Sequence, residues 1–180
     1  MTRLTNPLLR RVRRLVSGGQ TGVDRATLDV AARLGMQAGG WCPAGRWAED
    51  GRIPDAYKLV ETRSAFPIER TRRNVLETDA TLVIARRRLD AGTRATLRLA
   101  RALHRQCLHL SVGRGPGDRA ALARARGWIV ARRIRTLKVA GPRESADPGI
   151  YLAARAFLLR LFDRAQLASL THASGSADRK

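Results

Sequence analysis

The sequence predicts an α/β fold, a Rossmann-like three-layer αβα sandwich with a mainly parallel sheet. Short apolar runs alternate along the chain with amphipathic stretches of ten or more residues, the pattern of repeated βαβ units. Glycine-rich segments follow several of these runs, as expected where parallel strands end at a ligand-binding edge. Of the 180 residues, 44% are hydrophobic and only 4% are aromatic, so the core is expected to consist mainly of Leu, Val, Ile and Ala.

Each element has its own signal in the sequence. Five short apolar runs predict strands at 15–16, 36–39, 81–85, 107–112 and 134–139. Apolar residues at helical spacing predict helices at 26–34, 67–78, 93–104, 116–126 and 148–167. Gly35 is expected to end the first helix. The segment 40–64 shows neither the apolar period of a helix nor that of a strand. Its length predicts a functional loop.

We expect one domain, at residues 12–168, with flexible termini at 1–11 and 169–180. The length suits one buried core, and no linker or internal repeat divides the chain. Neither a signal peptide nor a membrane-spanning run is apparent. The two cysteines lie far apart, which argues against a disulfide framework. These features predict a soluble protein of the cytoplasm, without a membrane partner.

The formal net charge is +20 at pH 7. A surface this basic attracts nucleic acids, nucleotides and anionic membranes. Arg heavily outnumbers Lys, however, as a GC-rich genome would produce, and the few aromatic residues offer little surface for stacking bases. Nucleic-acid binding therefore stays an alternative that is not favoured.

The sharpest motif, SGGQTGVD at 17–24, joins the first predicted strand to the first helix. Glycines permit positive φ and bring backbone N–H groups close to a ligand, and the helix N-terminus adds partial positive charge. The motif matches neither the Walker pattern nor GxGxxG. A plainer alternative is a tight turn in which Asp24 caps the helix or pairs with Arg25. The candidate ligand-binding residues are Ser17, Gly18, Gly19, Gln20, Thr21, Gly22 and Asp24.

The long segment that follows carries aromatic and charged candidates. Trp41 could stack on a planar ring and Arg46 could hold an anion. Glu49 or Asp50 could bind a ribose or a metal ion. The alternative places the tryptophans as a lid over the core, and for Trp47 the two interpretations are balanced.

A predicted helix supplies two more candidates, Arg70 and Asn74, which lie one turn apart on one face. Glu69 and Arg73 on the same helix form an i,i+4 pair. Taken alone, this pattern favours a solvated helix face over a binding site.

Two further strand ends carry polar groups next to glycine. Gly92 and Thr93 open a helix, where they could bind an anion or where Thr93 could simply cap the helix. Arg143 and Ser145 follow the last strand and could complete a phosphate or oxyanion pocket. Because parallel strand ends meet at one edge of a sheet, we expect these groups to converge on one cleft.

A metal site is not predicted. His104, Cys107 and His109 have a spacing that resembles a ligand set, but they straddle a helix-to-strand junction. A core cysteine and hydrogen-bonded histidines are the favoured interpretation. We expect neither zinc nor haem.

Taken together in chain order, these motifs are similar to those of the "putative molybdenum carrier" family, a circularly permuted branch of the SLOG superfamily. The resemblance covers about residues 14–163 and rests on SGGQTGVDRATLDVA, GGWCPAGRWAEDGRIP, ERTRRNV, DATLVIAR, GT and VAGPRES. The chain departs from the family pattern at Ala91 and Lys138, where Gly and Asn are common. The resemblance implies a Rossmann-like fold and a nucleotide-type ligand site at Gly18, Gly19, Thr21, Gly22, Asp24, Arg46, Glu49, Asp50, Gly92 and Thr93.

The function that the resemblance implies is binding or carriage of a phosphorylated small molecule, either molybdenum cofactor or a nucleotide. An enzyme that hydrolyses a glycosidic or phosphoester bond of a nucleotide is the first alternative, with Asp24, Glu49, Asp50 or Glu144 as acid, base or metal ligand. The PGGxGTxxE signature of related phosphoribohydrolases is absent, so their activity does not carry over. Single-stranded nucleic-acid binding is the second alternative. The apolar face of the last helix could pack within the domain or against a second copy of the chain, so the sequence is compatible with a homo-oligomer.

Overall fold

The computed structural model of the protein describes residues 11–113 and 118–162. The termini that were expected to be flexible lie outside the described residues, except for position 11. The same holds for positions 116–117 and 163–167, at the ends of two predicted helices.

The described residues form nine strands and five α-helices. The strands are β1 (Arg14–Val16), β2 (Gln37–Gly39), β3 (Trp41–Cys42), β4 (Trp47–Ala48), β5 (Gly51–Arg52), β6 (Val60–Glu61), β7 (Ala80–Ala85), β8 (Gln106–Ser111) and β9 (Thr136–Ala140). The helices are α1 (Val23–Leu34), α2 (Pro67–Leu76), α3 (Ala91–Ala102), α4 (Asp118–Ala131) and α5 (Ile150–Phe162). Every predicted strand and helix is present, with its ends shifted by a few residues.

The central sheet confirms the predicted fold class. Five strands pair in the order β2-β1-β9-β7-β8, and every pair is parallel. In the standard Rossmann order 3-2-1-4-5 the central strand comes first in the chain. Here the central strand is β9, the last one, so the topology is that of a circularly permuted Rossmann fold.

Helices cover both faces of the sheet. Alternate residues of β7 separate the two layers: Leu82 and Ile84 belong to the main core with α1, α4 and α5, whereas Val83 packs with Leu97 of α3. Helix α2 packs beside α3 on this second face. The sheet therefore stands between two apolar layers, which stabilise it through burial on both sides.

The segment 40–64, predicted as an irregular loop, is more ordered than expected. Strand β3 pairs in parallel with β6, and β4 pairs with β5 as a hairpin. A small apolar cluster that includes Cys42, Ile53 and Leu59 lies beneath it. Each of these strands has two residues, which is too short to show a period-two pattern.

This topology determines where a ligand-binding crevice can form. After β9 the chain continues to α5 on one face of the sheet, and after β7 it continues to α3 on the other face. Neighbouring connections that leave on opposite faces open a crevice at the carboxyl ends of those two strands. No helix in the two described ranges is long and apolar enough to cross a bilayer.

Candidate ligand-binding cleft

A cleft of about 310 Å³ opens at the carboxyl edge of the sheet, beside β9 and the N-termini of α2 and α3. Three basic and two acidic side chains line it, together with small residues and one tryptophan. The lining residues are Gln20, Asp24, Trp47, Pro67, Ile68, Arg70, Thr71, Asp90, Ala91, Gly92, Thr93, Ala95, Thr96, Lys138, Ala140, Gly141 and Arg143.

The N-terminus of α3 provides backbone donors to the cleft. Asp90 caps this helix, its Oδ1 accepting a hydrogen bond from the Thr93 N–H at 2.7 Å. Helix geometry leaves the N–H groups of Ala91 and Gly92 without an intrahelical acceptor. Together with the helix dipole, they favour an anion at this point. The alternative that Thr93 caps the helix is wrong, because the helix begins at Ala91.

The rim of the cleft is apolar. Trp47 is 53% exposed and Ile68 is 56% exposed, and both line the cleft. Phe66, just before α2, is exposed as well. Large apolar side chains left in water next to a polar cleft suit a ligand with a flat ring, which can stack on the indole.

A buried ion pair joins α1 to α2 at one side of the cleft. Arg70 Nη1 lies 2.9 Å from Asp24 Oδ2, and both side chains are largely buried. The Gln20 N–H donates to the same oxygen at 3.2 Å. The alternative pairing of Asp24 with Arg25 is wrong, since Arg25 pairs with Asp50 at 3.1 Å. The prediction of a solvated helix face is also wrong at Arg70, because the Arg70 side chain is largely buried.

Lys138 is the most unusual group in the cleft. It lies on β9, is only 3% exposed, and faces the α2 and α3 layer, as Ala140 does. Within the described residues it makes no hydrogen bond and no ion pair within 4.0 Å. Burial lowers the pKa of Lys138 to about 8, with Asp24 opposing the shift and Arg70 adding to it.

The loop at 17–24 satisfies most of its own polar groups. Ser17 Oγ donates to the Asp24 carbonyl at 2.9 Å and accepts from the Gly19 N–H at 3.4 Å. The Thr21 N–H donates to Gln20 Oε1 at 3.1 Å. The loop thus closes around the backbone and carboxylate of Asp24, so its open side toward the cleft consists of Gln20 and Asp24.

Glu49 fastens the β4–β5 hairpin to two strand-end loops. Its carboxylate accepts hydrogen bonds from the Thr21 and Ser145 hydroxyls and, at 3.1 Å, from the Ser145 N–H. Arg143 Nε lies 3.4 Å from it. Burial alone would raise the pKa of Glu49, but the hydrogen bonds from Ser145 and Thr21 and the charge of Arg143 hold the pKa below its ordinary value. Trp47 is thereby held over the cleft.

Replacing Glu49 with Gln is expected to lower the free energy of unfolding by about 2 kcal/mol at pH 7, because charge-assisted hydrogen bonds are lost. The folded pKa of Glu49 is lowered, so its stabilisation is full above the ordinary pKa of 4.5 and is lost as the pH falls through the folded value. The difference between the two proteins should therefore shrink in acid. Urea unfolding at pH 7 and pH 4 measures it. Glu61→Gln, which removes the negative charge from the acceptor of one exposed hydrogen bond, the one from the Gly45 N–H, is the control. An equal loss in both variants would contradict the account.

Trp41 and Asn74 hold the second face together. Asn74 is fully buried, and its amide accepts from the Trp41 N–H at 2.8 Å and donates to the Trp41 carbonyl at 2.9 Å. The Trp41 indole donates to Glu77, and the Arg73 guanidinium lies 4.3 Å from its ring centre. The ring is thus occupied by groups of the chain itself, away from the cleft.

Arg46 lies at the centre of the segment 40–64. It is buried, and its guanidinium is 3.2 Å from Asp55. Its donors bind four backbone carbonyls, those of Ile53, Pro54, Tyr57 and Leu59. These bonds stabilise the loop from within and leave Arg46 outside the lining of the cleft.

Comparison with known proteins identifies the family. The model of the circularly permutated YpsA SLOG family matches residues 15–162. The chain belongs to this family. A search of the curated proteins finds no match. Among solved structures, the chain is similar to a "putative molybdenum carrier protein" from Syntrophus aciditrophicus, with 39% sequence identity, a TM-score of 0.76, and coverage of 84% of this chain and 95% of the other.

In this member of the permuted SLOG family, the first and last strands of the chain are neighbours in the sheet, so the loops that follow them lie against each other. The Val23 N–H donates to the Pro142 carbonyl at 3.3 Å, and the Glu144 N–H donates to the Thr21 hydroxyl at 3.1 Å. Residues from both ends of the described chain therefore build one edge of the cleft.

The cleft contains some of the sequence-predicted residues of this SLOG protein and leaves others out. Gln20, Asp24, Arg70, Gly92, Thr93 and Arg143 line it. The other ten surround or support it, or lie in the 40–64 segment: Ser17, Gly18, Gly19, Thr21, Gly22, Trp41, Arg46, Glu49, Asp50 and Asn74.

Sequence reasoning missed Lys138 and Asp90 as cleft residues of this SLOG protein and left two interpretations open for Trp47, which lines the cleft. A signal for Lys138 was present, because a lysine in the middle of an apolar strand is rarely buried without a reason. Choosing between Trp41 and Trp47 required the tertiary structure.

The described residues of this SLOG protein contain no group of three or more His, Cys, Asp or Glu side chains that could hold a metal ion. Cys42 and Cys107 are free. His109 lies exposed on β8, the edge strand of the sheet, and its side chain makes no hydrogen bond with another described residue, so the expectation of a hydrogen-bonded histidine is wrong there.

Proposed function

We propose that this SLOG-family protein binds a phosphorylated small molecule with a planar ring system in the cleft, and that it acts as a carrier for it. The ligand class is a molybdopterin or a nucleotide. One observation carries the proposal: the N-termini of two helices and three basic side chains meet in one cleft, with an exposed tryptophan at its rim.

The chemistry of both ligand classes fits this lining. A phosphate suits the free N–H groups of Ala91 and Gly92 and the cations Arg70 and Lys138. A pterin or a purine offers a flat face that can stack on Trp47. The similar structure from Syntrophus aciditrophicus bears the name of a molybdenum carrier, which favours molybdopterin as the cargo.

Replacing Gly92 with Glu is expected to remove the ligand while leaving the fold intact. A Cβ at Gly92 would meet only Asp90 Oδ1, at 3.8 Å, so there is room for a side chain. A carboxylate in the first turn of α3 also interacts favourably with the helix dipole. It places negative charge where the phosphate is expected. Native mass spectrometry with molybdenum analysis of gently purified protein measures the occupancy.

Gly127→Glu is the matched control, because it adds the same charge at an open position of α4. We expect the wild type and this control to retain a ligand, and Gly92→Glu to lose at least tenfold in occupancy. The unfolding temperature of Gly92→Glu should be no lower than that of the ligand-free wild type. A pterin with molybdenum would identify a molybdopterin cargo, and a nucleotide without metal would identify a nucleotide cargo. A ligand retained equally by all three proteins would contradict the cleft as its site.

A second candidate, nucleic-acid binding, is favoured by a different surface. Arg11, Arg13, Arg133 and Arg135 surround a depression of about 230 Å³ near the start of β1 and β9, at the end of the sheet opposite the cleft. Grouped arginines at this density attract phosphate backbones. Nucleic acid that copurifies with wild type and with Gly92→Glu alike would favour this function.

A further inference from the structure

Polar side chains without partners collect at one place in the cleft. Lys138 has no hydrogen bond or ion pair with any described residue. Arg70 Nε and Thr93 Oγ1 are buried with no hydrogen-bond partner, and both residues line the same cleft. A buried donor without an acceptor destabilises a folded protein, so a cluster of them indicates a missing acceptor.

The register of the sheet extends the cluster. Thr81 on β7 stands directly opposite Lys138 on β9, and its buried Oγ1 also lacks a partner. Residues opposite each other on neighbouring strands point to the same face. Lys138 therefore shares its face of the sheet with the Thr81 hydroxyl. It lines the same cleft as Arg70 and Thr93, whose Nε and Oγ1 have no partner among the described residues.

The nearby carboxylates do not supply the missing acceptor. Asp24 is engaged by Arg70 Nη1 and by the Gln20 N–H. Asp90 Oδ1 accepts from the Thr93 N–H. Neither carboxylate lies within 4.0 Å of the Lys138 ammonium group.

We propose that Lys138 is the principal anion-binding residue of the cleft, and that with Arg70 and Thr93 it holds one tetrahedral dianion, the phosphate group of the ligand. The inference rests on the proposed function and makes it specific. The phosphate lies on the floor of the cleft beside β9, where Lys138 is buried, and the ring lies at the rim beside the exposed Trp47.

Protonation of Lys138 then affects binding. The charged groups that face it are Asp24 from α1, Arg70 from α2, Asp90 before α3 and Arg143 after β9. Its charge is lost as the pH rises through about 8. Binding of a dianion should therefore weaken between pH 7 and pH 9, unlike binding to a group that stays charged.

Replacing Lys138 with Met tests the proposal by calorimetric titration with inorganic phosphate and with adenosine monophosphate. We expect K138M to weaken both affinities by about 20-fold or more, because a charged hydrogen-bond donor is lost. The unliganded variant should melt about 3 °C higher than wild type, because an unpaired buried charge has been removed. Thr93→Val should weaken phosphate binding by a smaller factor.

Lys58→Met is the control, since Lys58 is exposed and lies outside the cleft. Sulfate, which is a dianion throughout the range, tests the pH dependence. Wild-type affinity for it should fall about tenfold from pH 7 to pH 9, and K138M should show no such fall.

Phosphate binding by K138M at wild-type strength would overturn the inference, and so would a flat sulfate profile in the wild type. If K138M still bound adenosine monophosphate like the wild type, the inference would fail while the proposed function stood. If the wild type bound no anion and no ligand copurified with it, both would fail.

Discussion

Replacing Asp24 with Asn is expected to lower the free energy of unfolding by about 3–5 kcal/mol at pH 7. Asp24 is the carboxylate partner of the buried Arg70, and its charge also lies near Lys138. Removing one member of a buried pair leaves the other charge uncompensated, which costs far more than the pair contributes to stability. Urea unfolding monitored by circular dichroism measures the change.

The matched control is Asp50→Asn, which removes a half-exposed carboxylate from its pair with Arg25. An exposed pair of this kind contributes about 0–1 kcal/mol. The double variant Asp24→Asn/Arg70→Met should regain much of the lost stability, because it removes both buried charges. Equal losses for Asp24→Asn and Asp50→Asn would show that the buried pair does not hold α1 to α2.

Replacing Gly22 with Ala is expected to cost about 4 kcal/mol of stability. Gly22 precedes α1 with φ 69° and ψ −125°, a conformation that strains any residue with a Cβ. A Cβ there would also lie 2.5 Å from the Pro142 carbonyl and 2.9 Å from the Glu144 N–H, both backbone atoms. Strain and crowding each contribute roughly 1–3 kcal/mol. Thermal unfolding with calorimetry measures the loss.

Gly45→Ala separates the two causes. Gly45 also has a positive φ, 75°, but nothing lies within 4 Å of a Cβ at that position. It is expected to lose only about 1 kcal/mol, from strain alone. If the two variants lost the same amount, the close approach of the first and last strand-end loops would not matter for stability.

The fold was readable from the sequence because its signals are local. The run ATLVIA of β7 is apolar except for Thr81 and fully buried, as expected for a central parallel strand. Gly35 ends α1 in the left-handed conformation, as its position predicted. Strands β3 to β6 were missed because two residues cannot show a period.

The candidate cleft was only partly predictable, because its members come from distant segments. Gly92 and Thr93, which line the cleft, were predicted as candidates from the rule that ligands bind at strand ends. Arg46 looked like an anion ligand, but its guanidinium stabilises the carbonyls of its own loop. Trp41 and Trp47 have similar sequence contexts, and only packing shows that Arg73 covers the ring of Trp41.

Part of the glycine motif binds groups of its own loop in the structure. Its N–H groups were predicted to hold an external phosphate, but Gln20 donates to the Asp24 carboxylate of the same loop. Sequence alone could not distinguish an internal carboxylate from a ligand anion, because both satisfy the same donors.

A crystal structure of the protein with its copurified ligand, or with adenosine monophosphate if none copurifies, tests the central claim most directly. We predict electron density for a phosphate group between Lys138, Thr93 and the first turn of α3, with the ring beside Trp47. Density only at the arginine cluster near the start of β1, or only inside the loop 17–24, would contradict the cleft as the ligand site.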